Sequence, residues 1–277
     1  MTVYVGTSGY YYPEWVGPVY PEGMKSSKML EIYSGMFDAV EINSTFYRPP
    51  AKNMFARYKE RTGGQMKVII KLHENFTHHR SAGKEDYRLF HEAVKPLKES
   101  GQFSGYLAQF PQSFHFSNDA MRYVEYLRDL IPDETIACEF RHADFWRKDV
   151  FEYLKGLNIS MCSVDCPSLP NLPPNDFVVS AEPAYVRLHG RNSKEWYTDR
   201  MQRYLYQYNK DELKEWLKKV MKYVKQGGDA FVFFNNHPFG YSATNAWEFL
   251  ELLKEYLGDV VPKRQKKDGD SDQGKLF

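Results

Sequence analysis

The chain has 277 residues, a length that suits one large domain or two small ones. Hydrophobic residues make up 42% and charged residues 26%, the mean hydropathy is −0.62, and no apolar run approaches about 18 residues, which excludes a mostly disordered chain and a membrane-spanning helix. Lys and Arg number 37 against 36 Asp and Glu, a net charge of +1, so bulk charge does not mark a dedicated nucleic-acid binder.

Short β-rich runs recur along the chain, and most are followed by a helical pattern. Val3–Thr7 is the first strand, and its flank Met1-Thr-Val-Tyr lacks the basic and apolar regions of a signal peptide. With only three cysteines (Cys138, Cys162, Cys166), this points to a reducing, cytoplasmic setting. Ser27 precedes a helix over Met29–Phe37. Strand Ala39–Asn43 leads through Pro49-Pro50 to a helix over Ala51–Arg61. Lys67–Leu72 is the third strand and Lys84–Glu99 a long amphipathic helix. Gly105–Phe110 is followed by a helix over Asn118–Leu130. Thr135–Phe140 is followed by a helix over Phe145–Leu157. Ile159–Val164 runs into a Pro-rich loop over 167–182. Ala184–His189 precedes the long aromatic segment Arg191–Tyr208, which has the length of a lid or binding loop. Asn209 and Glu212 form a capping-box pattern opening a helix with Leu213, Trp216, Leu217, Val220 and Val224 on one face. After Ala230–Asn235, Thr244 opens the last helix, with Trp247, Leu250, Leu253 and Leu257 at helical spacing.

Eight β/α alternations predict an α/β protein, a single-domain (β/α)8 TIM barrel over residues 1–261. An open doubly wound sheet could use the same alternation, but Gly6-Thr7-Ser8-Gly9 is not its GxGxxG turn. Residues 262–277 are charged, Gly-containing and nearly free of apolar side chains, and read as a disordered tail.

In such barrels the chemistry lies at the C-terminal strand ends. Those ends carry Glu41 and Asn43, Lys71 and His73, Gln109, Glu139 with Arg141 and His142, Asp165, Arg187 and His189, and Asn235 with Asn236. Side chains alternate along a strand. If Glu139 faces the barrel so does Arg141, and likewise Glu41 with Asn43 and Arg187 with His189, while Val40, Ile42, Cys138, Val186 and Leu188 pack outward. The expected mouth holds three acids, three bases and several histidines. Such groups either neutralise one another as a structural network or serve as acid, base or metal ligands.

Gln109 and His189 stand where barrel glycosidases place their carboxylates, which argues against that chemistry. Neither HxH nor HExxH is present, so a divalent metal finds candidate ligands but no motif. Cys138 and Cys162 are expected to face the helices as inert packing. Tyr10, Tyr12, Trp15, Phe46, Tyr47, Trp196, Tyr204 and Tyr241 crowd the mouth loops among His78, Arg80, Arg191 and Arg203. Those residue types suit stacking on bases or sugars, and packing under long loops equally well.

Several ordered segments carry a resemblance: Gly6-Thr-Ser-Gly-Tyr10, Val40-Glu-Ile-Asn-Ser-Thr-Phe-Tyr-Arg48, Thr77-His78, Gln109-Phe-Pro111, Glu139-Phe-Arg-His142, Arg187-Leu-His-Gly190, Phe234-Asn-Asn236 and Asn245-Ala246. Together they resemble the YecE-like proteins, the family of domain of unknown function 72. Phe110 departs where Leu is common, and His237 follows Asn236 without the residue that often intervenes. The resemblance implies a TIM barrel and leaves activity open. In broad architecture such barrels resemble endonuclease IV and the xylose-isomerase group, which carry metals at strand ends, although the Arg- and Lys-rich mouth here looks more like an anion site.

The last five residues, Gln273-Gly-Lys-Leu-Phe277, resemble the peptide Gln-Leu-(Ser/Asp)-Leu-Phe that binds bacterial sliding clamps. Gln273, Leu276 and Phe277 match it, and Gly274 departs from it. The leading expectation is an enzyme of nucleic-acid metabolism, a hydrolase or lyase tethered to a clamp and acting on DNA or RNA. Lys71, Arg141 and Arg187 would hold a phosphate, and Glu41, Glu139, Asp165 and His189 would act as acid, base or metal ligands. Asn43, Tyr47, His78, Gln109, His142, Asn235 and Asn236 would bind substrate. The rivals are a small-molecule isomerase, lyase or hydrolase on a phosphorylated or sugar-like compound, and a non-catalytic nucleic-acid-binding adaptor.

Overall fold

The structure is a computed structural model that describes residues 1–199 and 201–257. In chain order the elements are β1 (Val3–Ser8), α1 (Met29–Met36), β2 (Ala39–Ile42), α2 (Ser44–Tyr47), α3 (Tyr58–Thr62), β3 (Lys67–Lys71), α4 (Glu74–Thr77), α5 (Lys84–Glu99), β4 (Phe103–Gln109), α6 (Asn118–Leu130), β5 (Ile136–Glu139), α7 (Lys148–Gly156), β6 (Ser160–Asp165), β7 (Ala184–Leu188), α8 (Lys210–Val224), β8 (Ala230–Phe234) and α9 (Tyr241–Leu257), with short 3₁₀ turns between some of them. All strand pairs are parallel, and β1 pairs with both β2 and β8, closing the barrel in sequence order. The sequence expectation of a (β/α)8 barrel holds, and no helix among the described residues is long and apolar enough to cross a membrane.

Alternation of side chains sorts the core into two layers. Outward residues such as Val40, Ile42, Ile70, Cys138, Val186 and Leu188 meet the helices in one large cluster. Inward residues, among them Ile69, Leu107, Ala137, Tyr185, Phe231 and Phe233, fill the barrel. Helix starts follow local chemistry. The Ser117 side chain accepts the Ala120 N–H, and Asn209 accepts the Asp211 and Glu212 N–H groups while Glu212 returns a bond to the Asn209 amide.

Four expectations need correction. The helix over Ala51–Arg61 is α-helical only from Tyr58. Before it, Met54, Ala56 and Tyr58 donate to carbonyls of residues 51, 53 and 55. This three-residue winding aligns Phe55 with Tyr58, and both are buried, so packing overrides the helical pattern. The helix expected over Phe145–Leu157 begins at Lys148, because Phe145 is held in a stack with Phe140 and Phe114. The last helix begins at Tyr241, so Thr244 is not its cap; its hydroxyl donates to the Gly240 carbonyl, 3.3 Å away. Cys162 faces the barrel interior, with its sulfur 4.0 Å from Glu139 Oε2. Arg200, the Leu257 side chain, the domain end at 261 and the tail with Gln273, Leu276 and Phe277 lie outside the described residues.

Candidate active site

Arg187 near the end of β7 is the centre of the mouth and is 1% exposed. Its guanidinium donates to Glu139 Oε2 at 2.5 Å, Glu41 Oε1 at 2.7 Å and Ser8 Oγ at 3.3 Å. The Tyr185 hydroxyl donates to the other Glu41 oxygen at 2.7 Å. Arg141 Nε donates to Glu139 Oε1. Four strands (β1, β2, β5 and β7) therefore contribute to one buried network in which two guanidiniums face two carboxylates. Burial alone would raise the Glu139 carboxyl, but Arg141, Arg187 and His189 together hold it well below the usual carboxylate range.

His189 is fully buried, and Asn235 Nδ2 lies 3.0 Å from its Nδ1. An amide nitrogen can only donate, so the ring proton belongs on Nε2, which lies 3.3 Å from Glu139 Oε1. Burial, then Arg141, pushes the His189 imidazole down to about 3. The ring is neutral near pH 7 rather than a proton shuttle, and its buried Nε2 makes no hydrogen bond despite the nearby carboxylate.

Lys71 is placed differently. Its amine donates to Gln109 Oε1 at 2.9 Å and lies 4.1 Å from the centre of the Phe46 ring. Gln109 is fixed by its own bond to the Phe110 carbonyl at 2.7 Å. α2 is fastened to the same strand end, because the Thr45 hydroxyl donates to the Lys71 carbonyl at 2.6 Å. Among the described residues no carboxylate lies within ion-pair distance of this amine, and the side chain keeps partial exposure. Burial, then Arg187, pushes Lys71 down to about 7. His78 packs edge-on against Phe46 and is pushed down to about 4, first by burial and then by Lys71.

The segment after β7 folds over this end of the barrel. Gly190, at φ +95°, turns the chain where a Cβ would strike the Tyr206 side chain at 2.7 Å. Trp196 joins the inner cluster, and the Tyr204 ring lies against His189 and His237. Burial works to raise the Tyr204 phenol, yet Arg141 and Arg203 outweigh it and leave the phenol below its ordinary value. Asn43 Oδ1 is buried without a hydrogen-bond partner, and Tyr47 is 77% exposed at the rim.

The family description "Protein of unknown function DUF72" matches residues 4–268. The chain belongs to this family. The UPF0759 protein YunF of Bacillus subtilis is 29% identical over 95% of this chain and 98% of its own length. A DUF72 family protein of Thermotoga maritima, known by crystal structure, is 35% identical, with a TM-score of 0.85 over 92% of this chain and all of its own. A DUF72 family crystal structure from Enterococcus faecalis, 23% identical, shares the fold at a TM-score of 0.81, covering 91% of this chain and 96% of its own. The family's own description leaves function open, so chemistry has to come from the site.

In this DUF72 barrel the structure gathers Glu41, Glu139, Lys71, Gln109, Arg141, Arg187, His189 and Asn235 at one end, but two expected site residues stand elsewhere. Asp165 faces the helix layer, because Cys162 and Val164 take the inward positions of β6. It accepts from Arg191 at 2.6 and 2.9 Å, Tyr208 at 2.7 Å and Trp216 Nε1 at 2.6 Å, which pins the segment after β7 and α8 to the barrel. Asn236 likewise turns from the mouth, donating to the Tyr206 carbonyl and to Asn245. His142 lies on the loop after β5, beside Asp144. Ser8 and Tyr185 belong to the network and were not singled out from the sequence. Tyr185 shares the parity of Arg187 and was legible on that ground, whereas Ser8 lies one residue past the expected strand end.

Proposed function

We propose that this protein is an enzyme acting on a small carbonyl compound, with the Lys71 amine as the reacting group. The supporting observation is its contrast with the other cations. Arg141 and Arg187 are committed to buried carboxylates, whereas Lys71 is held by a neutral amide and an aromatic face at a strand end. Its depressed basicity leaves a large share of free amine at neutral pH. The amine lone pair attacks the carbonyl carbon, the carbonyl oxygen takes up protons and leaves as water, and a protonated imine remains on Lys71. That imine draws electrons from the adjacent carbon–carbon or carbon–hydrogen bond, the chemistry of lyases and isomerases. Glu41, Glu139, Arg141 and Arg187 form the rigid platform beneath it. The Tyr204 phenol is a proton donor within the same network.

The rival expectation, a mouth that grips phosphate through three cations, loses support from the same pairing. A phosphate would have to compete with Glu41 and Glu139 for both arginines. The test is borohydride trapping with pyruvate, acetoacetate and glyceraldehyde, followed by peptide mass mapping. Reduction should fix an adduct on Lys71 and none there in Lys71→Arg. Labelling spread over surface lysines with Lys71 unmodified would overturn the reading. Salt-sensitive binding of single-stranded DNA that is lost in Lys71→Met would then favour the nucleic-acid rival.

A further inference from the structure

A second cluster lies on the same face of the barrel, on the loops after β4 and β5. His115, His142 and Asp144 each bring a ligand atom within 4.8 Å of the others. His142 Nδ1 is 2.9 Å from Asp144 Oδ1, and His115 Nδ1 is 3.4 Å from Asp144 Oδ2. Two donors bound to one Zn²⁺-sized ion at about 2.0–2.1 Å, with angles of about 90–110°, stand roughly 2.9–3.4 Å apart.

The hydrogen bonds show that these contacts are not an ordinary histidine–carboxylate pair. Asp144 Oδ1 is buried and has no hydrogen-bond partner, although an imidazole nitrogen lies 2.9 Å away. That nitrogen instead faces the Asp144 amide N–H as an acceptor, at a long 3.3 Å. The imidazole nitrogen and the buried carboxylate oxygen thus approach closely without hydrogen-bond geometry between them, and a cation bound by both would satisfy the unpartnered oxygen. Asp144 Oδ2 accepts the Phe116 N–H at 3.0 Å, which ties the two loops together and fixes the carboxylate.

The geometry points to a binding site for one divalent transition-metal ion, held by His115, His142 and Asp144. Two imidazoles and one carboxylate suit Zn²⁺ and its neighbours better than Mg²⁺ or Ca²⁺, which prefer all-oxygen shells. Three protein ligands leave further positions for water or a substrate oxygen. Arg141 immediately precedes His142, so the ion would sit beside the rim of the Lys71 site. The assignment does not depend on the reaction proposed for that lysine.

The test uses the untagged full chain stripped of metal with chelator. Zn²⁺ is titrated by calorimetry, and Co²⁺ is used as an optical probe of the ligand field. One ion per chain is expected, with absorption in the visible for Co²⁺. His115→Ala, at an exposed position, and Asp144→Asn, nearly isosteric, should each weaken Zn²⁺ binding at least about tenfold. His79→Ala should leave it unchanged. Circular dichroism confirms that each variant is folded. Absence of stoichiometric binding to the parent chain, or binding unaltered in both His115→Ala and Asp144→Asn, overturns the assignment.

Discussion

Replacing Lys71 by Met tests the energetic reading of the candidate site directly. Burial pushes this amine from 10.5 down to about 7. At about 1.4 kcal/mol per pH unit, holding it in place costs up to roughly 5 kcal/mol wherever the unfolded chain keeps the lysine charged. Partial exposure and the loss of the bond to Gln109, worth about 1 kcal/mol, reduce the expected net gain of Lys71→Met to roughly 2 kcal/mol at pH 7. The sign follows from proton binding. Between about pH 7 and 10.5 the unfolded lysine holds more proton than the folded one, so native stability rises with pH across that window. The advantage of Lys71→Met should therefore shrink toward pH 10.5. Urea unfolding at several pH values measures it, and comparing the two proteins cancels other alkaline titrations. Competitive labelling with trace acetic anhydride gives an independent reading. At pH 7 about half of the Lys71 amines are free, against about 3 in 10⁴ for an ordinary lysine. Labelling with a midpoint above pH 9, together with no stability gain in Lys71→Met, would refute the reasoning.

Three further outcomes are expected. Glu139→Gln leaves Arg141 and Arg187 with an uncompensated buried charge and should cost about 3–5 kcal/mol in denaturant unfolding. Because the Glu139 carboxyl is depressed, its contribution is present above the ordinary glutamate range and lost as pH falls through its lower folded value, so the two stability curves should converge only in strong acid. Asp165→Asn should destabilise by about 3 kcal/mol by weakening the hold on Arg191, Tyr208 and Trp216, with the Lys71 labelling profile unchanged. An altered profile would return Asp165 to the chemistry. His78 and His189, pushed down to about 4 and about 3, should keep fixed ring C2–H resonances between pH 5 and 8. A midpoint above 6 for either ring contradicts the burial argument.

The alternation of β-rich runs with helical patterns determined the barrel, because strand and helix periods are local properties of the chain. Parity determined much of the site as well. Glu41, Glu139, Lys71, Arg187 and His189 share the inward positions of strands whose outward positions are aliphatic. The rule failed at β6, where Ser163 and Asp165 form the more polar set and yet face outward. Only the tertiary structure decides that case, since Trp216 and Tyr208 bring polar groups into the helix layer and Asp165 satisfies them there. The sequence likewise placed three cations at one mouth, but not their pairing. Arg141 meets a carboxylate two residues away on its own strand end, but Arg187 meets Glu139 and Glu41 across the barrel, 48 and 146 positions away in the chain, a matter of ångströms that sequence does not give. The outcome is that Arg141 and Arg187 are paired with carboxylates while the Lys71 amine meets only the neutral Gln109 amide and the Phe46 ring.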